Sequence, residues 1–159
     1  MSEPLPPEVT VLTDVNVLAI GLTDDHPAQE DVYPWIRDAL DGPNVLLVFD
    51  YYPLRAQYVM TNNFGVSAPD ARNAVQSLVQ SPARIVNATE STLMQAYEIS
   101  AEKNHDVYDS FVLSLGRTYG ADYLITTDED FEELCDGEDV NYVNPVPPEK
   151  RERLALVNG

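Results

Sequence analysis

Val45-Leu46-Leu47-Val48-Phe49 is an unbroken apolar run with no polar residue in it. A strand with one wet face alternates apolar and polar residues. A run like this one fits a strand covered on both faces, as in a parallel sheet flanked by helices. Just upstream, Asp41-Gly42-Pro43 stops a helix over residues 28–40, where Val32, Trp35, Ile36, Ala39 and Leu40 recur at helical spacing. Just downstream, Pro53 suits the first turn of the next helix. The run therefore reads as a strand between two helices.

The same alternation continues outward. Residues 9–13 are rich in β-branched side chains and read as a strand ending at Asp14. Asn16 to Leu22 reads as a short helix. The helix opened at Pro53 runs to about Asn63 and ends at Phe64-Gly65. Ser67 caps another, with Ala71, Val75, Leu78 and Val79 as its stripe. Residues 83–87 read as a third strand. Thr89 opens a helix expected to turn Leu93, Met94 and Tyr97 inward. Asp106 starts the next, where Val107, Phe111, Val112, Leu115 and Tyr119 recur, and Gly120 ends it. Residues 121–126 read as a fourth strand, 128–134 as a short helix and 140–143 as a weak fifth strand. The expected organisation is a loose lead over 1–8, one domain over 9–143, and a tail over 144–159 with a candidate helix over 149–157.

Strands alternating with helices imply right-handed crossovers and a parallel sheet of four to five strands with helices on both faces. Ligands of such sheets sit beyond the carboxyl ends of the strands. Asp14 ends the first strand and Asp128 follows the fourth. Asp106 suits a helix start, where the dipole favours acids. Asp109 lies one turn further in, among Tyr108, Phe111 and Val112, where a carboxylate needs a partner or a cation. Capping explains one acid of Asp128 and Asp130. Crowded carboxylates repel, and Mg²⁺ or Mn²⁺, which take oxygen ligands, relieve that. Asp14, Asp109, Asp128 and Asp130 are thus expected to converge on one metal-binding cluster.

Composition restricts the partners. The chain has 159 residues, 44% of them hydrophobic, and a formal charge of −18 from 9 basic and 27 acidic residues. Only Lys103 and Lys150 are lysines. Self-repulsion of this size weakens a compact state at low salt and is screened in molar salt, so the balance reads as that of a halophilic protein. The one cysteine, Cys135, allows neither an internal disulfide nor a cysteine-rich zinc site. His26 and His105 lack ligand spacing and read as solvated. No apolar stretch spans a membrane, and MSEPLPPE does not read as a targeting segment, so a cytoplasmic location is expected.

Three segments carry a family likeness. Asp14-Val15-Asn16-Val17-Leu18, Tyr108-Asp109-Ser110-Phe111 and Thr126-Thr127-Asp128-Glu129-Asp130-Phe131 resemble, in order and spacing, the D-x-N-x-L, Y-D-A/S and T-D-x-D-F motifs of the PIN-domain family, VapC-like toxin nucleases in particular. The resemblance implies a three-layer α/β/α sandwich and a Mg²⁺- or Mn²⁺-dependent endoribonuclease of single-stranded RNA, the toxin of a toxin–antitoxin pair. It makes Asp14, Asp109 and Asp128 metal ligands, Asp130 a supporting acid, and Asn16 and Thr127 groups that orient the carboxylates. It also implies a small antitoxin partner and a homodimer.

One position departs from the pattern. Counting back from Phe64-Gly65, the family's glutamate after the second strand falls on Arg55, and the nearest acid is Asp50. An inward guanidinium would pair with the aspartates and occupy a cation's place. That alternative is a catalytically impaired relative kept as an RNA- or protein-binding module. Other folds that gather acids fit worse. A receiver domain needs a lysine after a late strand, a haloacid-dehalogenase-type phosphatase needs an aspartate at Asn16, and a dinucleotide site needs glycines after the first strand.

The charge makes the first prediction. Raising KCl from about 0.1 M to about 1 M, which shortens screening from ~10 Å to ~3 Å, should raise the melting temperature. A flat or falling melting temperature across that series would reject the halophilic reading.

Overall fold

The computed structural model describes residues 5–158. Its elements run β1 (Thr10–Thr13), α1 (Val15–Gly21), α2 (Gln29–Ala39), β2 (Val45–Phe49), α3 (Tyr52–Asn63), α4 (Ala68–Gln80), β3 (Arg84–Val86), α5 (Glu90–Lys103), α6 (Val107–Tyr119), β4 (Tyr123–Ile125), α7 (Asp130–Leu134), β5 (Asn141–Val143) and α8 (Pro148–Asn158). The five strands form one sheet in the order β3-β2-β1-β4-β5. Every pairing is parallel. Helices cover both faces, so the α/β/α sandwich expected from the sequence is the fold.

The apolar run is what makes this possible. Leu46, Leu47 and Val48 are all buried, as are Val11 and Leu12 of β1 beside them. β1 lies between β2 and β4, with Leu12 opposite Leu47 on one side and Leu124 on the other. Because β2 and β4 leave β1 in opposite directions, the carboxyl end of β1 is where the chain's crossovers diverge and a crevice opens.

Local chemistry sets the helix ends. Asp14, Ser67, Thr89 and Asp106 each accept backbone N–H groups from the first turns of α1, α4, α5 and α6. Gly120 closes α6 at φ 67, a left-handed conformation in which a side chain would be strained. Gly21 lets α1 lie close on α2, since a Cβ there would run into Ile36 Cδ1.

Several sequence expectations change. Leu93, Met94 and Tyr97 face outward, 47%, 55% and 62% exposed. The buried face of α5 is instead Thr92, Ala96 and Ile99. Apolar spacing misled here because α5 packs against α6 through small and polar contacts, such as Ser114 Oγ on the Thr92 carbonyl at 2.6 Å. Val79 is likewise exposed, while Ala71, Val75 and Leu78 are buried. Leu5 belongs to the core, so it is no part of a loose lead, and residues 1–4 lie outside those described. The tail after Val143 is held down: Lys150 Nζ reaches Asp31 at 2.6 Å and Glu30 at 2.9 Å on α2. Among the described residues no helix is long and apolar enough to cross a membrane.

The core makes the second prediction. Leu12→Ala removes a fully buried side chain from the central strand and should lower unfolding free energy by about 2–5 kcal/mol, read from urea denaturation with an unchanged slope. A loss well under 1 kcal/mol would mean that the sheet does not close over Leu12.

Candidate active site at the carboxyl end of the sheet

Pairing register builds the site. Thr13 of β1 lies opposite Ile125 of β4, so the next residues, Asp14 and Thr126, leave the sheet side by side. Thr126 is fully buried, and its Oγ1–H donates to Asp14 Oδ2 at 2.6 Å. The same Oγ1 accepts the Asp128 N–H at 3.0 Å. Asp14 Oδ1 accepts the Val17 N–H at 3.0 Å, as the cap of α1. Asp128 Oδ1 in turn accepts the Asp130 N–H at 2.9 Å. One buried hydroxyl therefore fixes two carboxylate-bearing segments. Thr127, the neighbour expected in this role, lines an adjoining cavity, and among the described residues its hydroxyl bonds no aspartate.

Asp109 arrives from the first turn of α6. Asp106 accepts the Tyr108 and Asp109 N–H groups at 2.8 and 3.1 Å and so sets the turn. His105 Nε2 lies 3.3 Å from Asp109 Oδ2. Against the expectation of a solvated imidazole, the His105 side chain is only 15% exposed and orients a carboxylate. Its spacing of four from Asp109 was the available signal, since the residues before a helix can face back onto its first turn.

Electrostatics show which acids come together. Burial, with the charges of Asp128 and Asp109 behind it, pushes the Asp14 carboxyl up to about 6, against hydrogen bonds from Thr126 and Val17 that lower it. Burial also raises Asp109, helped by Asp128 and Asp106 and opposed by His105. Asp14, Asp109 and Asp128 thus share one field. Asp130 is exposed and is not among the charges that act on either. Asn16 is exposed beside the cluster, at the mouth of the adjoining cavity.

The position that departed from the family pattern resolves outward. Arg55 is exposed, with its guanidinium 5.0 Å over the Tyr58 ring, and has no ion pair among the described residues. Asp50 is exposed as well, accepts from Asn87 Nδ2 at 3.3 Å, and is not among the charges that act on Asp14 or Asp109. The α3 residue that faces the acids is Tyr52. Its phenol is held well above its ordinary range by burial and by the charges of Asp14 and Asp109. Phe49, edge-on to Tyr52 at 5.3 Å and to Phe111 at 5.0 Å, fixes that ring.

Could these residues hold a divalent cation? Among the described residues, no three acidic, histidine or cysteine side chains close on one point as a cage. Mg²⁺ does not require a cage, because it keeps several waters when one or two carboxylates hold it. Carboxylates that raise one another's affinity for protons are also poised to exchange that proton for a metal. The donor set therefore fits a hard cation in an open, hydrated site.

The raised Asp14 value has a defined sign for stability. Its folded value near 6 exceeds the ordinary 3.8, so folding favours the protonated acid. Stability is then lost as pH rises from about 4 through about 6. Asp14→Asn removes that loss. Without metal, the variant should gain up to about 3 kcal/mol on wild type between pH 4 and pH 8. Added Mg²⁺ should raise the wild-type melting temperature and leave the variant's unchanged. Parallel pH–stability curves would show that Asp14 is not destabilised by its surroundings.

Comparison with known proteins agrees with this geometry. The PIN domain family model matches residues 11–137. Among solved structures, the chain resembles VapC20 of Mycobacterium tuberculosis, a toxin that cleaves the sarcin–ricin loop. The two align with a TM-score of 0.63 at 15% identity, over 82% of this chain and 98% of the toxin. No curated protein matches the sequence. With a parallel five-stranded sheet, aspartates gathered at its carboxyl end and a family match across most of its length, the chain belongs to the PIN-domain family.

Proposed function

We propose that the protein is a metal-dependent endoribonuclease that cleaves single-stranded RNA. The observation that carries this reading is the shared field of Asp14, Asp109 and Asp128 in the crevice where β2 and β4 diverge from β1. Within that set, one or two carboxylates with waters completing the shell would hold Mg²⁺ or Mn²⁺. Bound there, the ion supplies an activated water and offsets charge on the phosphoryl oxygens.

The chain's own groups do the rest. Thr126 orients Asp14, and His105 orients Asp109. The Tyr52 phenol, kept protonated by its surroundings, is a neutral donor facing the acids and offers a hydrogen bond to a phosphate oxygen there. Asp130, on the rim, is left as a supporting acid rather than a member of the set.

A place as the toxin of a toxin–antitoxin pair, with a small protein antitoxin and a homodimer, belongs to the same proposal. The outward apolar side chains Leu54 and Tyr58 of α3, and Leu93, Met94 and Tyr97 of α5, are surface suited to protein partners. The second reading, a module that binds without cutting, is favoured by one fact. Among the described residues, the family's glutamate position is filled by Arg55, which lies over Tyr58, and Asp50 is not among the charges acting on Asp14 or Asp109.

Cleavage of single-stranded RNA in high KCl with Mg²⁺ or Mn²⁺ separates the two readings. Asp14→Asn and Asp109→Asn should each abolish it. Tyr52→Phe should lower kcat by roughly tenfold or more, as for a lost donor to developing charge. Arg55→Gln should stay within about threefold of wild type, because an exposed side chain off the site contributes little. RNA binding with no cleavage by wild type at any salt would decide for the binding module.

A further inference from the structure

A cavity of about 600 Å³ opens beside the aspartates, between α1, α3 and the start of α8. That volume is in the range of small-molecule sites and accommodates one nucleotide. Its position is fixed by sequence: Asn16 on its wall is two residues after Asp14, and Thr127 is directly before Asp128.

The lining is mixed in a way that suits a base and its phosphate. Phe64 and His26 meet edge to face with ring centroids 4.5 Å apart. Burial and the nearby Lys150 charge lower His26, so this aromatic wall is uncharged near neutral pH. Aromatic faces hold bases by stacking whatever their identity. Asn16 and Asn63 add amide groups, which can both donate to and accept from a base edge.

Arg151 is the cavity's one cationic lining residue. Its Nε donates to the Val146 carbonyl at 2.6 Å and its Nη1 to Glu129 at 3.1 Å. These two bonds lock the guanidinium, while Nη2 has no hydrogen-bond partner among the described residues. Lys150, beside it, is committed to Asp31 and Glu30, and that clamp seats α8 on α2. Elsewhere among the described residues, Lys103 and Arg117 both pair with Glu138, and Arg37 lies 3.7 Å from Asp38. In a chain of net charge −18, a rigid arginine next to a carboxylate cluster is a specific provision for an anion. Arg151 also lies beyond residue 137, where the family match ends.

We propose that this cavity holds one nucleotide of the RNA next to the scissile bond, with Arg151 on its phosphate and Phe64 against its base, and so determines where this protein cuts. The assignment rests on the ribonuclease reading and names the part of the substrate that the site selects.

The experiment is cleavage of a single-stranded RNA library randomised around one position, with cut sites read by sequencing. Wild type, Arg151→Gln, Arg151→Lys and Phe64→Leu are compared, with melting curves confirming that each is folded. Wild type should prefer one base at a fixed distance from the cut. Arg151→Gln should raise KM by about tenfold or more while kcat stays within about threefold, as for loss of a charged hydrogen bond in binding. Arg151→Lys should restore KM only in part, because a lysine lacks the planar fork. Phe64→Leu removes the stacking face that holds the base against Asn16 and Asn63, so it should raise KM and flatten the base preference. Unchanged cut sites and KM in folded Arg151→Gln and Phe64→Leu would overturn the assignment, even if Asp14→Asn is inactive and the ribonuclease reading stands. If wild type cuts nothing, the same library is selected by binding. Enrichment of one base that Phe64→Leu abolishes supports the pocket, and enrichment of none overturns it.

Discussion

The hydrogen bond from Thr126 Oγ1 to Asp14 Oδ2, 2.6 Å long, is the contact on which the functional end of the molecule depends. It joins the ends of β1 and β4 just past their last paired residues, Thr13 and Ile125. It occupies one lone-pair site of a carboxylate whose other oxygen already caps α1. The same hydroxyl receives the Asp128 N–H, so the aspartate-bearing loop cannot drift away from β1. Two hydrogen bonds are not enough to offset the loss of water around Asp14, and its carboxyl stays protonated to about pH 6. The site is built with a deficit of positive charge, and a cation is the natural remedy.

Cations are scarce throughout this chain, and their placement shows how the deficit is kept. Both lysines act as structural ties. Lys103 joins Arg117 on Glu138, whose carboxyl they pull down to about 2, and Lys150 seats α8 on α2. Arg84 lies over the Tyr119 ring and Arg55 over that of Tyr58. None of these neutralises the aspartates. The basic side chain beside them is His105, which orients Asp109. An anion approaching this surface meets repulsion except where a cationic side chain such as Arg151 answers it.

Motifs and periodicity located most of the fold but were weaker on orientation. β2 falls on the residues expected, because an apolar run bounded by breakers has one reading. The helix starts at Ser67, Thr89 and Asp106 were legible because capping is a local hydrogen bond between near neighbours in sequence. Which face of α5 is buried was not legible. Leu93, Met94 and Tyr97 look like a core stripe, yet the surface beside α6 is met by Thr92, Ala96 and Ile99. Counting residues placed Arg55 at the site, whereas the turn into α3 begins at Tyr52 and rotates the helix so that Tyr52 and Ala56 face inward.

By itself the sequence determined the class of fold and the family, and it named four candidate aspartates, Asp14, Asp109, Asp128 and Asp130, because strand patterning, caps and short motifs depend on residues close along the chain. The tertiary structure alone decided the rest. It showed that Thr126 rather than Thr127 orients Asp14, that His105 supports Asp109 and that Tyr52 faces the acids in place of Arg55. It also brought Arg151 back to the cavity wall through the α8 clamp. Each of these depends on the rotation of a helix or the register of a strand against a neighbour distant in sequence, and spacing along the chain carries no record of that angle.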